Sequence, residues 1–156
     1  MDKIAGIGQY VISNNKNDVL KTFALSSCVA VVVHSPTKGA AGMVHIALPN
    51  SKSSFDDNIN SGYYANTAVP LLINRICLEY GCTKDELVIK LYGGARSVRV
   101  DDVFNIGEKN IKAVKKELDC LNLRYNEIET GGICSRTLYM KVDTGITKVT
   151  TQPIKI

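Results

Sequence analysis

A cysteine and a histidine lie close enough along this chain to act as a nucleophile and its base. Cys28 ends a short polar segment that contains Ser26 and Ser27, Thr22 lies just upstream, and His45 lies in the next apolar segment. A catalytic thiol needs a base that accepts its proton and a group that orients the base. These residue types predict thiol catalysis, with Cys28 as the nucleophile, His45 as the base and Thr22 holding the imidazole.

The two serines before the cysteine have a possible role of their own. Small polar residues allow a tight turn, and a turn leaves backbone N–H groups free to face an oxyanion. We therefore assign Ser26 and Ser27 to oxyanion or turn support. Because β-branched residues follow Cys28, we expect a strand there rather than a helix N-terminus, so activation of the thiol falls on the imidazole.

Each of these residues also has an ordinary structural explanation. Cys28 could be a small apolar residue that starts a buried strand, since free cysteines are often buried. His45 could be a core histidine whose nitrogen bonds a backbone carbonyl. Strand alternation places His45 with Met43 on the face opposite Val44. His34 ends its strand beside a turn and is predicted to lie at the surface.

Composition limits the classes of protein to which this chain can belong. Its 156 residues suit one domain, 1–156, and a net charge of +4 with scattered lysines argues against nucleic-acid binding. Five cysteines without a CxxC pair and only two histidines predict free thiols, no metal site and no cofactor. The sequence contains no signal peptide or membrane-spanning pattern, so we expect a cytoplasmic protein.

The pattern of apolar residues predicts mostly strands with two helices. The predicted strands are 9–13, 19–24, 29–33, 41–48, 87–92, 124–128, 136–142 and 146–150. A helix is expected from an N-cap at Asn66 or Thr67 to Gly81, with Pro70 in its first turn, and a second over about 108–121. Residues 50–60 are polar and predict a mobile loop. We expect an α+β or α/β fold, a β-rich layered sandwich with two main helices in a single domain.

Two glycine pairs and one arginine remain ambiguous at this level. Gly93-Gly94 and Gly131-Gly132 each follow a predicted strand, and they fit either turns with positive φ or close backbone approach near the site. Arg136 could form an internal ion pair or face an acidic partner.

Taken together, these segments resemble the family of the chemotaxis protein CheD, a chemoreceptor glutamine deamidase. The resemblance runs from Gly6-Ile7-Gly8 to the Thr144-Gly145 turn. The residues that carry it are Thr22, Leu25, Ser27 to Val31, Gly42, His45, Leu48, Pro49, Tyr64, Ala65, Ala68, Gly93 to Ala95, Asn105 to Gly107, Asn110, Thr130 to Gly132 and Arg136.

The resemblance implies a function and partners. Cys28 would be the nucleophile, with His45 and Thr22 as its catalytic partners, in hydrolysis of glutamine side chains to glutamate on methyl-accepting chemoreceptors. The cytoplasmic domains of these receptors would be the substrates, and in some relatives the protein also binds a CheC-type phosphatase.

The chain departs from the family pattern at four positions. Ser26 replaces a usual glycine, Glu129 a usual aspartate, Ser135 a frequent glycine and Lys109 a frequent arginine. If the position of Ser26 needs positive φ, serine would strain the turn.

Two other classes of function remain open from the sequence. The first is a weakly catalytic or non-catalytic adaptor that binds a phosphatase or receptors. The second is a different thiol acyl transferase, such as a protease or a transglutaminase.

Overall fold

A computed structural model describes residues 1–51, 61–96 and 104–154. Most of the predicted loop, residues 52–60, therefore lies outside the described residues. The elements in chain order are β1 (Asp2–Ile4), β2 (Tyr10–Ser13), β3 (Val19–Leu25), β4 (Val29–Ser35), β5 (Ala40–Ile46), α1 (Ala65–Tyr80), a short 3-10 turn (Lys84–Glu86), β6 (Val88–Gly93), α2 (Ile106–Cys120), β7 (Asn126–Thr130), β8 (Cys134–Lys141) and β9 (Thr147–Pro153).

The strands form two mixed sheets. One has the order β1-β3-β8-β9 and the other the order β2-β5-β4-β6-β7. The β4–β5 and β8–β9 pairs are antiparallel, as their short turns predict, whereas β6 and β7 pair in parallel. Helices α1 and α2 contact each other and pack on the five-stranded sheet. The predicted layered α+β fold with two main helices is confirmed.

Two apolar cores separate the three layers, and β4 contributes to both. Its odd-numbered residues, such as Val29 and Val31, pack under the helices. Its even-numbered residues, such as Ala30 and Val32, face the four-stranded sheet. Every residue of β4 is buried, which agrees with the continuous apolar run at residues 29–33. Cys28 and His45 lie on the face of this sheet that meets the other sheet, which carries Thr22.

The start of α1 differs from the sequence-based expectation. The N-cap is Tyr64, in extended conformation, and neither Asn66 nor Thr67 serves as the cap. Pro70 therefore lies inside the helix rather than in its first turn, where its missing N–H would have cost nothing. The predicted end is confirmed, because Gly81 adopts the left-handed conformation at φ 70°.

His34 is buried rather than at the surface, which corrects the prediction made for it. Its Nε2 lies 3.1 Å from the carbonyl oxygen of Val142. A Cβ on Gly145 would lie 2.7 Å from His34 Nδ1, so the β8–β9 turn covers the ring. The position of His34 next to a turn predicted exposure, but the β8–β9 turn, more than 100 residues later in the chain, covers its ring.

Candidate functional site

His45 lies on β5, opposite Ala30 of β4. Cys28 comes two residues before Ala30, so Cys28 and His45 occupy diagonal positions on the same face of the β4–β5 pair. Diagonal neighbours in an antiparallel pair lie about 7–8 Å apart between Cα atoms, within reach of longer side chains. Cys28 is half-buried at the edge of the core between the sheets, and His45 is only 2% exposed.

Thr22 holds the imidazole from the opposite sheet. Its Oγ1 lies 2.8 Å from His45 Nδ1 and 2.7 Å from the carbonyl oxygen of Ala5. A carbonyl can only accept, so the single hydroxyl proton of Thr22 goes to Ala5. Thr22 Oγ1 must then accept a hydrogen bond from His45, which places the imidazole proton on Nδ1 and leaves Nε2 with its lone pair.

His45 Nε2 is buried and, within the described residues, has no hydrogen-bond partner. The one ring nitrogen that is paired bonds a hydroxyl rather than a backbone carbonyl, and Nε2 keeps its lone pair available as an acceptor. A buried polar atom without a partner costs free energy, so its presence calls for a functional reason. Burial lowers the pKa of His45 from 6.5 to about 4, so the ring is neutral at pH 7.

A bulge in β3 lets Thr22 and Leu25 both face the interior. Regular alternation would put residues three apart on opposite faces, but the register shifts between these two positions, and both are buried. Phe23 and Ala24 between them are exposed, and Ala24 adopts a positive φ of 55°. The sequence carries no turn residue there, so the bulge could not be predicted from it.

The Cys28 turn, residues 26–28, is held by the loop that follows β6. Gly94 N–H donates to the carbonyl of Cys28 at 2.8 Å, and Ala95 N–H donates to the carbonyl of Ser26 at 2.7 Å. Gly93 has a φ of 103°, and a Cβ there would overlap the Cys28 carbonyl oxygen. Both explanations offered for the first glycine pair therefore apply, namely positive φ and close backbone approach at the site.

Ser26 does not strain this turn. Among the described non-glycine residues, positive φ occurs at Ala24, Asn105 and Asn122, so Ser26 has an ordinary backbone conformation. The departure from the family's glycine thus costs no backbone strain. Ser26 and Ser27 also line an open cleft of about 330 Å³ whose other wall includes Phe104 and Ile106. The cleft gives the turn a route to solvent.

Helix α2 contributes an amide to the same turn. Asn110 is fully buried, and its Nδ2 donates to the carbonyls of Ser27 at 2.9 Å and Ala47 at 3.0 Å. Sequence reasoning names Asn110 only among the residues of the resemblance and assigns it no contact. The signal that could have indicated the contact is an amide side chain on the buried face of an amphipathic helix.

Arg136 forms an internal ion pair, one of the two roles left open for it. Its Nε lies 3.3 Å from Glu129 Oε1, and its Nη2 donates to the Gly131 carbonyl at 2.8 Å. The N–H of Gly131 in turn donates to the Gly93 carbonyl at 2.9 Å. Glu129, although longer than the family's aspartate, still reaches the guanidinium, so this departure preserves the contact.

The thiol itself is not ionised by its surroundings. Burial raises the pKa of Cys28, and the dipole of its own backbone N–H, which favours the thiolate, opposes this more weakly. Among the described residues no three His, Cys, Asp or Glu side chains cluster as a metal site. No helix in the described part of the chain is long and apolar enough to cross a membrane.

Comparison with known proteins now identifies the family. Residues 47–151 match the family described as CheD chemotactic sensory transduction. A protein of Syntrophotalea carbinolica named "Probable chemoreceptor glutamine deamidase CheD" is 42% identical over 151 residues, 95% of this chain and 93% of the relative. The chain belongs to the CheD family.

Other relatives support the same assignment. The "Chemoreceptor glutamine deamidase CheD" of Thermotoga maritima is 35% identical across 93% of this chain and 88% of its own length. The protein of the same name from Bacillus subtilis is 36% identical across 78% of this chain and 74% of its own length. The CheD family match begins after Thr22, Cys28 and His45. The alignment with the Syntrophotalea carbinolica relative nevertheless covers 95% of this chain.

A likeness among solved structures concerns the fold. The Bacillus licheniformis hypothetical protein YfiH superposes with a TM-score of 0.50 at 9% identity, covering 76% of this chain and 49% of that one. At this identity the likeness concerns the fold alone, so the functional argument rests on the CheD relatives and the site geometry.

Proposed function

We propose that this CheD-family protein is a chemoreceptor glutamine deamidase, with Cys28 as nucleophile, His45 as general base and Thr22 as the residue that orients His45. The observation that carries the proposal is the free Nε2 of His45, a buried nitrogen without a partner on the same face as Cys28. The names of the relatives support the substrate class, the glutamine side chains of chemoreceptors. Binding of a CheC-type phosphatase is a further proposal that rests on the family resemblance.

The reaction is an acyl transfer to water through a thioester. As Cys28 Sγ bonds to the carboxamide carbon of glutamine, its proton moves to His45 Nε2. The carbonyl oxygen becomes an oxyanion, which a free backbone N–H of the Cys28 turn stabilises. His45 gives the proton to the departing nitrogen, ammonia leaves, and the thioester remains. A water molecule then loses a proton to His45 and attacks the thioester carbon. The C–S bond breaks, His45 returns the proton to the sulfur, and glutamate and the Cys28 thiol are released.

The pKa directions determine when the thiol loses its proton. Burial raises the pKa of Cys28 and lowers that of His45. Before substrate binds, the Cys28 thiol and the His45 imidazole are therefore both neutral. A preformed thiolate is therefore disfavoured. Proton transfer accompanies the attack on the substrate, and the developing charges stabilise each other in a site with little water.

The adaptor hypothesis remains the alternative, because a non-catalytic module would also lack a resting thiolate. What favours the enzyme is the unpaired Nε2, since an adaptor gains nothing from a buried nitrogen that lacks a hydrogen bond. The two hypotheses differ in whether the sulfur of Cys28 is needed for a chemical change in the receptor.

The test is incubation of the protein with cytoplasmic fragments of chemoreceptors, followed by mass spectrometry of the glutamine residues. We expect conversion of Gln to Glu with release of ammonia, no cleavage of the receptor backbone and no cross-linking to amines. Those two absent products separate deamidation from protease and transglutaminase chemistry.

Two variants control this test. Cys28→Ala removes one sulfur and should abolish conversion while the fold persists. Cys120→Ala, at an exposed cysteine at the end of α2, should convert as fast as the unaltered protein. Conversion at full rate by Cys28→Ala would show that the nucleophile is misassigned, and no conversion by the unaltered protein would favour the adaptor.

A further inference from the structure

Asn110 connects the two segments that carry the proposed nucleophile and base. Its Nδ2 donates to the carbonyl of Ser27, one residue before Cys28, and to the carbonyl of Ala47, two residues after His45. Two carbonyl acceptors require the NH₂ end of the amide at this position. One fully buried side chain of α2 therefore bridges the Cys28 turn and the end of the β5 segment.

The bond to Ser27 also determines where the N–H of Cys28 points. The Ser27 carbonyl and the Cys28 N–H belong to one trans peptide plane, so they point in opposite directions. With the carbonyl held towards α2, the N–H is directed away from the helix.

The neighbouring peptides of the turn are held in the same way. The carbonyls on both sides of Ser27, those of Ser26 and Cys28, accept hydrogen bonds from the loop after β6. Within the described chain, no backbone or side-chain acceptor outside the turn takes the N–H of Cys28. The turn thus presents a free donor next to the thiol, and its orientation depends on the three carbonyl contacts.

Packing alone does not account for an amide at this position. Asn110 Oδ1 is buried and, among the described residues, unpartnered, which is unfavourable for stability. An apolar side chain of similar size would fill the same space without a buried oxygen that lacks a donor.

We propose that Asn110 is a positioning residue for deamidation, which orients the Cys28 N–H towards the oxyanion and sets the spacing between Cys28 and His45. This inference rests on the proposed function. Asn110 does not contact the substrate; it acts through the Ser27 peptide. The orientation that it gives to the Cys28 N–H stabilises the reaction only when an oxyanion forms, because that is when this N–H gains an acceptor.

The test compares Asn110→Leu and Asn110→Ser with Val114→Ala, which perturbs the buried face of the same helix without touching the turn. For each protein we would measure kcat and KM for receptor fragments, thermal unfolding, and the rate of Cys28 alkylation by iodoacetamide. Alkylation displaces iodide and forms no oxyanion, so it reports on the thiol but not on the oxyanion donor.

We expect kcat for Asn110→Leu to fall by up to about 100-fold with KM nearly unchanged, because a small misplacement of a catalytic group has that effect. Asn110→Ser keeps a single hydrogen-bond donor, so its kcat should lie between those of the Leu variant and the unaltered protein. Alkylation should change little in either variant. Val114→Ala should lower the unfolding temperature while kcat is retained.

Each other outcome overturns the inference. Unchanged kcat in the Asn110 variants would remove the positioning role while leaving the deamidase proposal intact. Equal losses of kcat, alkylation and stability, or failure of both Asn110 variants to fold, would show a purely structural role. Absence of deamidation by the unaltered protein would overturn the proposed function and this inference together.

Discussion

Thr22 accepts a hydrogen bond from Nδ1 of His45 at 2.8 Å, because its own hydroxyl proton is donated to the Ala5 carbonyl. This relationship assigns the imidazole tautomer without any charged residue. In the Ser-His-Asp triad an aspartate performs the same task and also stabilises the imidazolium. A threonine fixes the tautomer but adds no negative charge, which agrees with an imidazole whose pKa lies at about 4.

The first prediction concerns the Thr22 hydroxyl. Thr22→Val keeps the shape of the side chain but removes the acceptor for Nδ1, so the neutral ring is no longer held as the Nδ1–H tautomer. We expect kcat for deamidation to fall by roughly 10- to 100-fold, as for other groups that orient a functional histidine. Thr22→Ser keeps the hydroxyl and should retain most of the activity. A Val variant with the same kcat as the unaltered protein would contradict this role.

The second prediction concerns stability at acidic pH. Below pH 6.5 the unfolded chain protonates His45, whereas the native state does so only near pH 4. The unfolded state therefore binds more protons in this interval, and stability falls as the pH decreases through it. The shift from 6.5 to about 4 corresponds to a loss of about 3 kcal/mol.

Comparison of variants isolates this contribution from that of the carboxylates. Denaturant unfolding of His45→Gln and of the unaltered protein should be measured between neutral pH and about pH 4. We expect the difference in unfolding free energy between the two proteins to shift in favour of His45→Gln as the pH is lowered. If the unfolding free energies of the two proteins changed in parallel with pH, burial would not have shifted the pKa of His45.

The third prediction concerns the reactivity of Cys28 in the absence of substrate. Because burial raises the pKa of the thiol, alkylation by iodoacetamide should be slow at and below neutral pH and should increase towards alkaline pH. Cys120, which is exposed, should be labelled faster at neutral pH. Peptide mapping of the labelled protein measures both rates at once. Rapid labelling of Cys28 below neutral pH would indicate a preformed thiolate–imidazolium pair.

The fourth prediction compares two glycines with positive φ. Gly39→Ala, at φ 59° with nothing within 4 Å of the new Cβ, should cost about 1–2 kcal/mol from the backbone alone. Gly93→Ala adds an overlap with the Cys28 carbonyl and should cost roughly 3 kcal/mol or more. It should also lower kcat, because the Cys28 turn must shift. If Gly39→Ala and Gly93→Ala lowered the unfolding free energy and kcat by the same amounts, Gly93 would have no special role in supporting the Cys28 turn.

Much of the site's framework follows from local sequence patterns. Alternation along β5 correctly places His45 on the face of Met43 rather than that of Val44, because successive side chains of a strand must point to opposite sides. The end of α1 at Gly81 was predictable for a similar reason, since a left-handed residue favours glycine.

Other features could not be read from local patterns. The bulge after Thr22, the burial of His34 and the N-cap of α1 at Tyr64 all depend on which segments pack against them. Local propensity for a cap or a surface position is worth about 1 kcal/mol, which tertiary packing readily overrides.

The sequence by itself determined which groups are available for chemistry, namely a thiol, an imidazole and a hydroxyl, and on which strand face the imidazole lies. Only the tertiary structure decided which imidazole nitrogen is free and which way the Cys28 peptide points. The first depends on a hydrogen bond between the two sheets and the second on an amide from α2. These bonds join residues 23 and 83 positions apart, so no local periodicity encodes them.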